Sequence, residues 1–165
     1  MANWCENTLA VICKDIPECK ASVARFIEQA KDKSGQDDDP CPIQMQNFVP
    51  CPKELLETIA PYEGTKKIAE LIKEYGSNTW YEWNTYNWGT KYDILDAQFT
   101  QHNDTYVKYI FDTAWSPPEA FLAKVSKMFP CLLFQLSFVE IGCGSCGTDE
   151  YYKPCKHDIK TEETK

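Results

Sequence analysis

The chain has 165 residues, 43% apolar, 25% charged and 13% aromatic, and its 17 Lys plus Arg against 25 Asp plus Glu leave a net charge of −8. That composition suits one globular domain and argues against a polyanion-binding surface, because the few cations do not cluster. No apolar run reaches the length of a membrane span and Met1 to Cys5 lacks a secretory leader pattern, so a cytoplasmic chain with no membrane partner is expected.

Residues 4–13 read as a strand, with Leu9 and Val11 on one side and Thr8, Ala10 and Ile12 on the other. Val23, Phe26, Ile27 and Ala30 recur at helical spacing and predict an amphipathic helix over 18–33, with Gly35 placed to cap it. Character then changes: an acidic run, Asp37, Asp38 and Asp39, precedes two Pro-Cys-Pro tripeptides at 40–42 and 50–52, which preclude a regular helix. Two small helices follow, one carrying Leu55, Leu56 and Ile59, the other Ile68, Leu71, Ile72 and Tyr75 and ending at Gly76. Between Trp80 and Tyr92 lie six aromatic residues. Residues 93–100 and 106–113 alternate around a turn at His102-Asn103-Asp104 and predict a hairpin. Ser116-Pro117-Pro118-Glu119 has the form of a capping box opening a helix that buries Phe121, Leu122 and Val125, and Leu132 to Val139 predicts a last strand. From Gly142 the chain reads as loop, and 156–165 as a mobile tail.

The order is strand, helix, an insertion over 36–92, hairpin, helix, strand. It predicts an α+β, ferredoxin-like split βαβ domain over 1–155: a four-stranded antiparallel sheet with its helices on one face and the insertion over an edge or the other face. Four blocks carry a resemblance: Met1-Ala-Asn-Trp-Cys-Glu-Asn-Thr-Leu9, Val49-Pro-Cys-Pro-Lys-Glu-Leu55, Asn87-Trp-Gly-Thr-Lys-Tyr-Asp93 and Phe111-Asp-Thr-Ala-Trp-Ser-Pro-Pro118. Together they resemble the YubB-type ferredoxin-like family over roughly Met1 to Gly147. The resemblance implies the same fold and a small protein of a phage or conjugative plasmid, and it carries no catalytic residue with it. The Cys-rich stretch from Gly142 to Cys155 departs from that family pattern.

Nine cysteines, an odd number in a chain without an export signal, argue against a disulfide framework. Cys5, Cys13 and Cys131 fall in or beside strands, where a thiol packs as a small hydrophobe. Cys143 and Cys146, in Gly142-Cys-Gly-Ser-Cys-Gly147, have the spacing of a metal knuckle, and Cys155 and His157 would complete a four-ligand zinc set. Thiols that bind nothing are the alternative. Redox use is weaker, because the glycines predict no helix start to lower a thiol pKa.

Trp80, Trp83 and Trp88, with Asp37, Asp38 and Asp39, form the candidate partner-binding set: aromatic anchors and an acidic loop that complement a basic protein surface. Core packing of the insertion is the plainer account of the tryptophans. The segment 80–92 could instead stack nucleobases, and Tyr106, Tyr109 and Phe111 echo an RNA-reading strand, but the Lys/Arg-Gly start of that motif is missing. His102 in a turn and His157 in a tail support no nucleophilic site, leaving Cys143, Cys146 and Asp93 as the residues an enzyme would use. The expectation is a non-enzymatic protein that contacts a host protein, in keeping with the resemblance, as an inhibitor of a host defence system. A nucleic-acid or nucleotide binder is the alternative.

Overall fold

The computed structural model describes residues 3–31, 40–60 and 68–155. Strand β1 spans Trp4–Cys13 and α1 Pro17–Ala30, followed by a single 3-10 turn at Met45–Asn47, α2 (Lys53–Leu56), α3 (Ile68–Tyr75) and α4 (Trp80–Trp88). The hairpin β2 (Leu95–Asn103) and β3 (Tyr106–Ala114) leads to α5 (Glu119–Met128), and β4 (Leu132–Glu140) pairs with β5 (Ser145–Tyr152). Every pairing is antiparallel and the sheet order is β2-β3-β1-β4-β5. The four expected strands are therefore adjacent, and a fifth, β5, is added outside β4 where a loop was predicted. Its serine, threonine and acidic residues suit a solvated edge, so an apolar alternation could not reveal it.

Alternation along each strand sorts the side chains. Leu9 and Val11 of β1, Val107, Tyr109 and Phe111 of β3, and Leu132, Phe134 and Leu136 of β4 face the helices and are buried. Phe26 of α1 is the hub of this layer, its ring 5.1 Å from Phe48, 5.4 Å from Phe134 and 5.5 Å from Phe129. Residues of the insertion join the same core: Ile43, Met45, Phe48, Leu55, Trp83 and Trp88. The insertion thus packs with α1 and α5 on the helical side, not over the opposite face as one reading had it. Strands need their apolar stripe covered only once, and the stripe lies on that side. The other face stays open, with Glu6, Thr8, Ile110, Ser137 and Val139 around a shallow depression.

Two caps differ from expectation. Helix α1 ends at Ala30, and its carbonyls are met by the side chain of Asn47, whose Nδ2 donates to Ala30 O at 3.1 Å and Lys31 O at 2.7 Å. Gly35 and Asp37 to Asp39 lie outside the described residues, as do His157 and the tail 156–165. Ser116 makes no cap on α5; its hydroxyl donates to Gly89 O at 2.5 Å and ties α4 to α5. Among the described residues no helix is long and apolar enough to cross a membrane.

Candidate functional site

Helix α4 organises one end of the molecule, and its start and stop are local. Thr79 accepts from the Glu82 amide at 3.2 Å, and the Glu82 carboxylate accepts from the Asn78 amide at 3.3 Å, a capping box shifted by one residue. Gly89, at φ +87, closes the helix. A Cβ there would sit 3.3 Å from the backbone of Pro117, Glu119 and Ala120, so glycine also permits the close approach of α5. Trp80, Trp83, Asn84, Asn87 and Trp88 form the inward stripe of this helix.

Of the three tryptophans proposed as anchors, two are core. Trp83 and Trp88 are only 8% and 3% exposed, meet edge to face at 5.9 Å, and Trp88 Nε1 donates to Val49 O at 2.9 Å. They cannot anchor a partner without unfolding the insertion. Trp80 sits at the boundary, stacked on Tyr92 with ring centroids 5.8 Å apart. Lys91 Nζ lies 4.8 Å from the Tyr92 centroid and 5.7 Å from that of Tyr81. Asn78, Trp80, Tyr81, Glu82, Lys91 and Trp115 line a cleft of about 640 Å3. Tyr81 and Trp115 are 42% and 52% exposed, and Trp115 has φ +74, a left-handed backbone rarely held by a bulky residue. Asn78 Oδ1 is buried without a hydrogen-bond partner among the described residues. Tyr81 and Lys91 belong to the segment 80–92 but Trp115 follows β3, so sequence spacing alone did not join them.

Asp93 belongs to the frame of this end. Its Oδ1 accepts from the amides of Met45 and Ile94, both at 2.7 Å, and its Oδ2 from Gln46 at 3.0 Å, which pins the 3-10 turn to the start of β2. Burial pushes its carboxyl above the usual carboxylate range, and the three amides pull it back. Those oxygens are engaged by backbone, which is how a structural carboxylate is held. The RNA-reader echo on β3 also fails: Tyr109 and Phe111 face the helices and are buried, so the open face presents no aromatic pair there.

The described members of the proposed zinc set, Cys143, Cys146 and Cys155, are not brought together. Cys143 and Cys146 lie at the closed end of the β4–β5 hairpin and Cys155 beyond its open end, about the length of the eight-residue strand β5 away, roughly 27 Å. At the closed end the Glu140 carboxylate accepts from the amides of Gly142 at 2.9 Å and Cys143 at 2.7 Å. A hydrogen bond from the Cys143 thiol, with these amides, holds Glu140 below its ordinary range, and the same contact pushes Cys143 up. Cys146 projects from β5 onto the open sheet face. At the open end, Cys155 meets Cys19 in the first turn of α1 and Cys131 just before β4, with all three sulfurs within 4.8 Å of one another. Cys13, at the end of β1, turns its thiol to the Lys14 carbonyl at 3.2 Å. Burial, and then contact with Cys155 and Cys19, push the Cys131 thiol up to about 12.

Comparison with known proteins bears on the fold. Residues 91–165 match the family described as a ferredoxin-like domain in Api92-like protein. The chain is 32% identical over 73 residues to the uncharacterized protein YubB of Escherichia coli (strain K12), covering 43% of this chain and 50% of that one. The chain spans half the length of that curated relative. The crystal structure of a protein api92 from Yersinia pseudotuberculosis superposes with a TM-score of 0.50 at 9% identity, over 92% of this chain and 95% of that one. The ferredoxin-like α+β fold and the likeness to the YubB type are thus supported. The matched segment includes the Cys-rich stretch that was expected to fall outside the family pattern.

Proposed function

We propose that this is a non-enzymatic binding protein whose recognition site is the cleft between Trp80, Tyr81 and Trp115, and that its partner is a protein with a basic rim. The observation that carries the reading is Trp115: a half-exposed tryptophan held at φ +74 across the cleft from the aromatic residues of α4. Left-handed backbone is unfavourable for such a residue, and a chain that keeps it there displays the indole rather than burying it. Exposed Trp and Tyr around a concave patch are the side chains that carry most of the energy in protein interfaces. A net charge of −8 favours a basic partner and disfavours a phosphate backbone. The finer reading is of a phage- or plasmid-borne protein acting in the host cytoplasm on a component of host defence, and it rests on the family context implied by the four sequence blocks alone.

The test is capture of a stoichiometric partner from bacterial lysate by the wild-type chain, compared with Trp115→Ala and Tyr81→Ala at low and high salt. The expected result is one partner whose capture falls at least about tenfold in each variant and weakens with salt. Capture that neither substitution changes ends the proposal. A second reading is favoured by one detail: Lys91 lies over two aromatic rings beside a cleft with an unpaired Asn78 oxygen, a setting that also suits a planar anionic nucleotide. Quenching of tryptophan fluorescence by a nucleotide, absent in Trp115→Ala, would favour that reading over the first.

A further inference from the structure

We propose that Cys19, Cys131 and Cys155 form a zinc site that staples the edge strand β5 to the start of α1. This stands apart from the aromatic cleft and does not depend on it. Three sulfurs from residues far apart in the chain lie within 4.8 Å of one another. Thiolates around one zinc at about 2.3 Å are about 3.8 Å apart, so small rotations of side chain would bring all three to bonding distance. Three thiolate donors, with the fourth position of a tetrahedral site left to water, select zinc over the hard cations that prefer oxygen.

A second observation points the same way. Phe129-Pro130-Cys131-Leu132 is a tight turn closed by the Leu132 amide on the Phe129 carbonyl at 3.2 Å, with proline at its second position. Its third residue has φ +81, where such turns favour glycine or asparagine. This chain places a cysteine there. Mere packing does not require that choice, since a glycine would relieve the backbone and leave the turn intact. A ligand role does require it, because a glycine at 131 would leave only the sulfurs of Cys19 and Cys155 at this place.

The position also gives the site a task. Among the described residues strand β5 is the outermost strand and pairs only with β4, and Cys155 follows its end. Cys131 immediately precedes β4, and Cys19 lies in the first turn of α1, whose amides favour a thiolate. One ion would join three elements at one end of the sheet, each ligating thiol giving up its proton as it binds.

The experiment uses the full chain, reduced and stripped of metal, titrated with zinc against a chromophoric chelator and with cobalt(II) followed by its thiolate charge-transfer bands. One equivalent is expected, with slower amide exchange along β5 in the zinc-bound form. Cys131→Gly should lose affinity about a hundredfold or more while melting no lower than the metal-free wild type, because glycine suits the left-handed turn. A Cys143→Ser/Cys146→Ser double variant should keep the full equivalent. Binding below about three tenths of an equivalent by the wild type, undiminished binding by Cys131→Gly, or loss of binding in the double variant overturns the assignment.

Discussion

The two sides of helix α4 show how one short aromatic segment serves two purposes. Trp83 and Trp88 point inward, meet at 5.9 Å and bind the insertion to the core, whereas Tyr81 and Tyr86 point outward and Trp80 stands at the margin. The difference is positional. Residue type alone does not separate an anchor for folding from an anchor for a partner; the 3.6-residue period does. Changes on the inner side should therefore appear in stability, and changes on the outer side in recognition.

The largest expected effect is Trp88→Ala, which removes a buried indole and orphans the Val49 carbonyl; a loss of about 3–5 kcal/mol is expected in urea unfolding. If the loss stays under about 1 kcal/mol, the inner side is not the anchor described here. Next is Asp93→Asn, which leaves one carbonyl oxygen for three amide donors and turns an NH2 group toward one of them. Its expected cost near neutral pH is about 1–3 kcal/mol. The sign of its pH dependence is specific. A folded carboxyl held above its unfolded value contributes stability in full below the unfolded value and loses it as pH rises through the folded one. Unfolding measured from about pH 4 upward should therefore show a falling contribution in the wild type that the Asn variant lacks.

Thr79→Ala tests the frame shared by both sides, since it deletes the α4 cap, and about 1 kcal/mol should be lost. Tyr81→Ala is the smallest, within about 0.5 kcal/mol of wild type in stability, with its effect confined to capture of the partner. A Tyr81 variant that unfolds like Trp88→Ala would erase the distinction between the two sides.

The signals for α4 were present in the chain: Thr79 and Glu82 in capping-box spacing, Gly89 beyond the last turn, and Trp80, Trp83 and Trp88 on one stripe. The aromatic density of the segment masks that period. Strand β5 lacked any such signal, because a polar edge strand takes its shape from the strand beside it. The cysteine cluster is concealed for a different reason. Cys143 and Cys146 are close in sequence and carry the familiar spacing, but the cluster combines Cys19, Cys131 and Cys155, whose separation along the chain conceals any relation.

Read alone, the amino-acid order determined what depends on neighbours: β1, α1, the β2–β3 hairpin, α5 and β4 follow from periodicity and turn chemistry within a few residues, and their succession implies the antiparallel layer. Tertiary structure alone decided which face of the sheet the insertion covers, which aromatic residues remain at the surface, and which thiols meet. These are contacts between distant segments, set by how whole elements pack, and no local pattern encodes them.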